Sequence, residues 1–188
     1  MRKQSFIPLM AIMAVILASF FSQALAAGFT LASPDIAEGR KLDMQHVLNG
    51  FGCAGKNISP ALTWKNAPEG TKSFAVTVYD PDAPTGSGWW HWVVFNIPSS
   101  VGKLPAGAGN DPELLPTGAI QGRTDFGAPG YGGACPPQGH GDHRYVFTVY
   151  ALDVPSLDIP ADSSGAMVGF FLNAHALEKA SITATFGR

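Results

Sequence analysis

The stretch VYDPDAPTGSGWWHWVVFNI, residues 78–97, decides how the whole chain is read. It ends one apolar run, breaks at Pro81 and Pro84, passes Gly86 and Gly88, and resumes as a second apolar run. Traced backwards, the first run begins at Ser73, and its segment FAVTVY is rich in the β-branched and aromatic residues that strands favour. Side chains alternate along a strand, so Phe74, Val76 and Val78 share a face and Asp80 comes next on it. The same count on the return strand, residues 90–97, puts His91, Val93, Phe95 and Ile97 on one face and Trp90, Trp92 and Val94 on the other. Both faces are apolar, as expected of a central strand in a sandwich, with Asn96 the polar exception. Antiparallel pairing of the two strands sets Asp80 and His91 at the same end of the sheet.

A third run, HRYVFTVYAL at residues 143–152, places His143, Tyr145, Phe147 and Val149 on one face. If it joins the first two, then Asp80, His91, His143 and Tyr145 converge at the rim of an apolar face. Apolar walls with a few convergent polar groups are the anatomy of a small-ligand pocket. Two imidazoles, a phenol and the N–H groups of glycine-rich loops suit an anion such as phosphate or a carboxylate. Asp80 would orient one histidine or raise its pKa by charge proximity. Asp82 and Arg144 are expected to form a structural ion pair, because a buried charge needs a partner. Trp89, Trp90 and Trp92 read as core or pocket wall.

Further strands are expected at residues 29–31, 46–48 and 61–64, with 53–60 (CAGKNISP) as loop. Residues 99–130 are irregular and too long for an ordinary connection, hence packed over the surface or functional. Asp162, Ser163 and Ser164 form an N-cap cluster. Met167, Phe170, Phe171, Ala174 and Leu177 follow at helical steps, which predicts a helix over 164–179 and a closing strand over 182–186. The 22 glycines and 15 prolines also favour a turn-rich all-β domain. The expected fold is an all-β, Greek-key-like sandwich of two antiparallel sheets with one C-terminal helix.

Residues 1–26 read as a secretory signal peptide. Arg2 and Lys3 precede an apolar run over 7–21, and Ala24-Leu25-Ala26 offers small residues at the two positions a signal peptidase reads. The run is short for a bilayer span and carries Pro8 and Ser19. Cleavage after Ala26 leaves one domain, residues 27–188, in the periplasm or outside the cell. Formal charge is −2, becomes more acidic once Arg2 and Lys3 are gone, and no basic stripe marks a nucleic-acid footprint. In an oxidising compartment Cys53 and Cys135 are candidates for a disulfide worth roughly 4–5 kcal/mol by chain entropy. Two buried thiols or a metal pair are the alternatives, although no CxxC spacing favours zinc.

Three segments together resemble the phosphatidylethanolamine-binding protein family, also called Raf kinase inhibitor-like proteins. They are Asp80-Pro81-Asp82-Ala83-Pro84, Trp89-Trp90-His91-Trp92, and Pro136-Pro137 with Gly139 and His143-Arg144-Tyr145. With CAGKNISPALTW at 53–64, the chain looks like the bacterial exported branch of that family, over essentially all of residues 27–188. The resemblance implies a sandwich with a small anion pocket at one end, lined by Asp80, Pro84, Trp89, His91, Cys135, His143 and Tyr145. Cys135 stands where the animal pattern has glycine; the resemblance then implies that its N–H serves the anion while its sulfur bonds Cys53. The late helix cannot be matched residue by residue to the animal pocket rim.

The function expected is therefore that of an exported ligand-binding or inhibitor-type protein for phosphate, a phosphorylated head group or a carboxylate. Neither catalytic residues, nor a metal, nor a cofactor is expected. Binding should strengthen below about pH 6.5, where unperturbed imidazoles gain charge. The alternative is a hydrolase or metal-dependent enzyme using Asp80, His91 and His143, but there is no GxSxG nucleophile and no close HxH pair. Beyond a small anion, the partners considered are an envelope or host protein docking on 99–130, a lipid head group, and a second copy in a homodimer.

Overall fold

The computed structural model describes residues 28–188, so the expected signal segment 1–26 lies outside the described residues. The strands are β1 (Thr30–Ala32), β2 (Asn49–Gly50), β3 (Cys53–Ala54), β4 (Leu62–Lys65), β5 (Ser73–Asp80), β6 (Trp89–Pro98), β7 (Lys103–Leu104), β8 (Ile120–Gln121), β9 (His143–Leu152) and β10 (Ala176–Phe186). One helix, α1 (Gly165–His175), lies between β9 and β10. The larger sheet has the order β10-β9-β5-β6-β8, the smaller β1-β4-β7, and β2 pairs with β3. All these pairings are antiparallel. The expected mostly-β architecture with one late helix is what the chain adopts.

Two cores hold it together. Between the sheets, Leu62, Trp64 and Leu104 of the small sheet meet Phe74, Val76, Val78, Trp92, Val94, Tyr145, Phe147 and Val149 of the large one. On the outer face of the large sheet, Ala75, Val93, Phe95 and Leu152 pack against Val168 and Leu172 of α1. The first core carries the pocket at its edge, because Asp80 continues the face of Val76 and Val78, and His143 that of Tyr145 and Phe147.

The face count fails on β6, for a local reason. Val78 lies opposite Trp92 but Tyr79 lies opposite Trp90, so His91 is an extra residue in β6. Phe74 opposes Ile97 and Val76 opposes Val94, which puts a second extra residue beside Asn96. Each bulge reverses the alternation beyond it. His91 and Trp92 therefore both face the sandwich side, Val93 and Phe95 turn to α1, and Ile97 returns to the sandwich core. The expected grouping of His91 with Val93 and Phe95 is corrected. Asn96 adopts φ 59°, a left-handed backbone that Asn tolerates, and its amide bonds both backbone groups of Leu157, at 2.7 and 3.4 Å.

Three other expectations shift. The strand expected at 46–48 is instead a 3-10 turn (Met44–His46), capped by the Asp43 side chain, followed by a single bridge from Val47 to Ala134. The loop expected over 53–60 begins with β3, paired to β2. The helix ends at His175 rather than Lys179, because β10 starts at Ala176 and its ladder to β9 runs from there to Phe186. Its buried face is Gly165, Val168 and Leu172, whereas Met167 and Phe170 are exposed. The residues 99–130 contribute β7 and β8 as edge strands and bring Phe126 to the cavity wall.

Candidate functional site

The chain folds so that strand ends supply the pocket. Asp80 is the last residue of β5, Trp89 the first of β6, His91 its bulge residue, and His143 and Tyr145 the first and third of β9. Together with Pro84 and Cys135 they line one cavity of about 300 Å³. All seven expected residues are thus brought together. Asp82 and Arg144 are not among its walls.

Asp80, His91, His143 and Tyr145 are each at least 95% buried. Asp80 uses both carboxylate oxygens within the protein. Its Oδ1 accepts the Asp82 N–H at 2.8 Å, closing the turn after β5, and its Oδ2 accepts from His143 Nδ1 at 2.7 Å. That bond makes Nδ1 the protonated nitrogen of His143, and Nε2 is held 2.7 Å from His140 Nδ1. Asp80 is accordingly a positioning group for His143, and the structure joins an exposed third histidine, His140, to the pair.

His91 is arranged differently. Its Nδ1 donates to the Gly132 carbonyl at 2.7 Å, which leaves Nε2 the unprotonated nitrogen of the neutral ring. Burial pulls its pKa below the ordinary histidine value, against the opposing pull of the Gly132 carbonyl and the Asp80 charge. The Tyr145 hydroxyl and the Trp89 indole N–H are buried side-chain groups without a hydrogen-bond partner among the described residues. Burial, with the nearby Asp80 charge adding to it, raises the Tyr145 pKa and keeps its O–H protonated. Two residues that line the cavity, Tyr145 and Trp89, thus each carry a donor without a partner among the described residues, and a third, His91, carries an acceptor.

The rim has three parts that the sequence pattern did not mark: Phe51, Phe126 and Arg188. Phe51, at the tip of the β2–β3 hairpin, is 73% exposed and stacks on Phe126 with ring centroids 5.9 Å apart. Phe126 in turn meets Trp89 and His91 edge-on, at 5.4 and 5.3 Å. The Cys53–Cys135 disulfide ties the hairpin to the segment 131–141, which sets aside the free-thiol and metal-pair alternatives. Arg188, two residues beyond β10, also lines the cavity. Phe51 and Phe126 were hidden in stretches read only as turn and irregular chain, and Arg188 lay past the last strand pattern. Among the described residues, no three His, Cys, Asp or Glu are grouped to hold a metal.

Outside the cavity, Arg144 bonds Asp82 through Nη2 at 2.6 Å and Nε at 2.9 Å. The expected pair forms, but the expected reason is corrected: the Arg144 side chain is 58% exposed, so the pair is not a buried one. The Arg144 hydrogen bond lowers the Asp82 pKa to about 2.

A cavity of this size, walled by rings and prolines and fitted with a few fixed polar groups, defines a ligand-binding protein of the β-sandwich type. The chain belongs to the phosphatidylethanolamine-binding protein family, whose model matches residues 32–187. It is similar to the UPF0098 protein YbcL of Escherichia coli K12, 54% identical over 176 residues that cover 93% of this chain and 96% of that one. The UPF0098 protein YbhB of the same organism is 56% identical over 156 residues, covering 83% and 98%. The lipoprotein-named LppC of Mycobacterium tuberculosis H37Rv is 35% identical over 157 residues, covering 84% and 71%. The crystal structure of Escherichia coli YbcL, described as a new member of the mammalian PEBP family, matches with a TM-score of 0.84 at 56% identity, covering 86% of this chain and 99% of that one.

Proposed function

We propose that this is an exported binding protein whose cavity holds a small anion: a phosphate, a phosphorylated head group or a carboxylate. The observation that carries this reading is the pair of buried donors, Tyr145 O–H and Trp89 N–H, which have no partner within the described protein. A buried donor left unmade costs about 1–3 kcal/mol, and anionic oxygens lining up with both donors offset that cost. The His91 Nε2 is an acceptor while the ring is neutral and becomes a further donor to an anion once the ring is protonated. The disulfide, the basic-then-apolar run at 2–26 and the lipoprotein name of LppC support export. A protein partner, an intact lipid or a second copy of the chain would meet the rim formed by Phe51 and the 99–130 segment.

The pH dependence follows from His91. Its lowered pKa means that it gains charge only below the ordinary histidine value of 6.5, so anion binding strengthens later on acidification than unperturbed imidazoles would give. Calorimetry with inorganic phosphate and with phosphoethanolamine from pH 8 to pH 5 tests this. Affinity should rise on the acid side and fall about tenfold or more in His91→Ala, the loss expected for one charge-assisted hydrogen bond. Absence of binding at every pH sinks the proposal.

The Asp80–His143 bond favours one other reading, acid–base catalysis on a bound ester. Turnover of phenyl phosphate that His143→Gln abolishes is the result that would establish it.

A further inference from the structure

The walls of the cavity hold one permanent negative charge, Asp80, and one permanent positive charge, Arg188. His143 is committed to Asp80, and burial favours neutral His91. Arg188 is therefore the one fixed cation among the residues that line the cavity. The guanidinium is fixed in place: Nε donates to Pro136 O at 2.7 Å, Nη1 to Gly52 O at 3.0 Å and Nη2 to Phe51 O at 3.1 Å. Its own carbonyl accepts the Gly139 N–H at 2.8 Å. A Cβ at Gly52, where φ is +82°, would sit 3.1 Å from Nη1, so glycine there leaves the room the guanidinium occupies. No carboxylate pairs with Arg188 among the described residues. Three of its five N–H groups face carbonyls, which leaves two for a ligand.

We infer that Arg188 is a specificity-determining residue of the pocket, the fixed cation that favours ligands carrying two negative charges at the rim over those carrying one. This rests on the anion-binding reading above. It extends that reading to the ligand's charge, because a guanidinium held in advance loses little freedom when a second anionic oxygen arrives. The ligand class it selects is a phosphate ester in its doubly ionised form, or a small molecule with two acidic groups, in preference to a simple monocarboxylate.

The test is calorimetry on the full chain with inorganic phosphate and, separately, acetate, at two salt concentrations, for the natural protein, Arg188→Gln, Arg188→Lys and His91→Ala. Arg188→Gln should weaken phosphate about tenfold, leave acetate within about twofold, and flatten the dependence on salt. Arg188→Lys should restore the salt dependence while recovering only part of the affinity, since an ammonium keeps the charge without the planar fork. A merely structural role, bracing the carbonyls of residues 51, 52 and 136, would weaken both anions alike and leave the salt slope unchanged, and that result overturns the inference. So does phosphate binding that His91→Ala abolishes and Arg188→Gln leaves untouched; the anion pocket then stands without Arg188. If the natural protein binds neither anion, the pocket reading itself falls.

Discussion

Strands β6 and β9 flank β5 on its two sides, and each begins by sending a histidine into the same cavity. They reach it by different means. Strand β9 keeps one register against β5 from Leu152 to Val146, so His143, Tyr145, Phe147 and Val149 alternate inward without interruption. Strand β6 slips twice, and the first slip is His91 itself. The regular strand delivers a histidine to a carboxylate, His143 to Asp80; the bulged one delivers a histidine to a backbone carbonyl, His91 to Gly132. A bulge frees a side chain from the pleat, and here it aims an imidazole away from the charged pair and toward a ring-lined wall. The consequence is electrostatic: one histidine is anchored by charge and the other is held by burial in a setting that favours its neutral form.

The largest expected effect tests the two registers directly. Phe147→Ala in β9 and Phe95→Ala in β6 each remove a fully buried ring and should cost about 3–5 kcal/mol. The damage should appear in different places. Phe147 belongs to the sandwich core with Leu62 and Trp64, so its loss should speed amide exchange in β4. Phe95 packs with Val168 and Leu172, so its loss should speed exchange in α1. Loss of protection in β4 but not α1 on Phe95→Ala would show that β6 follows the unbroken alternation after all.

A smaller effect separates the two histidine settings. The folded pKa of His91 is lowered, so the unfolded chain binds that proton more readily. Stability contributed by neutral His91 is therefore full above about pH 6.5 and declines as pH falls below it, at up to about 1.4 kcal/mol for each unit over which the two states differ in protonation. His91→Gln should flatten denaturant midpoints between pH 7 and pH 5. A ring resonance of His91 titrating at or above the ordinary value would contradict the bulged, carbonyl-bonded setting.

Much of this was legible beforehand because β5 and β9 obey a period of two. Counting along them places Asp80, His143 and Tyr145 correctly, and the antiparallel hairpin brings His91 to the same end. His91 reached the expected pocket through a bulge that no count could contain, since an extra residue is a property of two paired strands. Asn96 was the available signal: a polar residue inside an apolar run, here the tolerant residue at the second bulge. The helix boundary was misplaced because Leu177 continues a helical spacing, while ladder bonds to β9 take the chain from Ala176 onward. Phe51, Phe126 and Arg188 lie in turns and tails, where position comes from the disulfide and from long-range carbonyl contacts rather than from any local pattern.

The smallest effect contrasts two carboxylates that stand two residues apart. Asp80 is 3% exposed and holds His143, whereas Asp82 bonds an arginine whose side chain is 58% exposed. The Asp82 pKa is depressed from 3.8 to about 2, so its contribution is present above about pH 3.8 and is lost as pH falls toward 2. Solvent screens a pair this open, and Asp82→Asn should cost no more than about 1 kcal/mol at neutral pH, shrinking further at high salt. Asp80→Asn should cost more and be nearly insensitive to salt, because the bond it disturbs lies away from water. Urea melts of both variants at low and high salt make the comparison, with Asp82→Asn as the control for charge removal alone. Equal losses with equal salt dependence would mean that burial does not distinguish the two aspartates. Asp80 would then lose its standing as the group that orients His143, and both carboxylates would be surface charges that tie down the same turn.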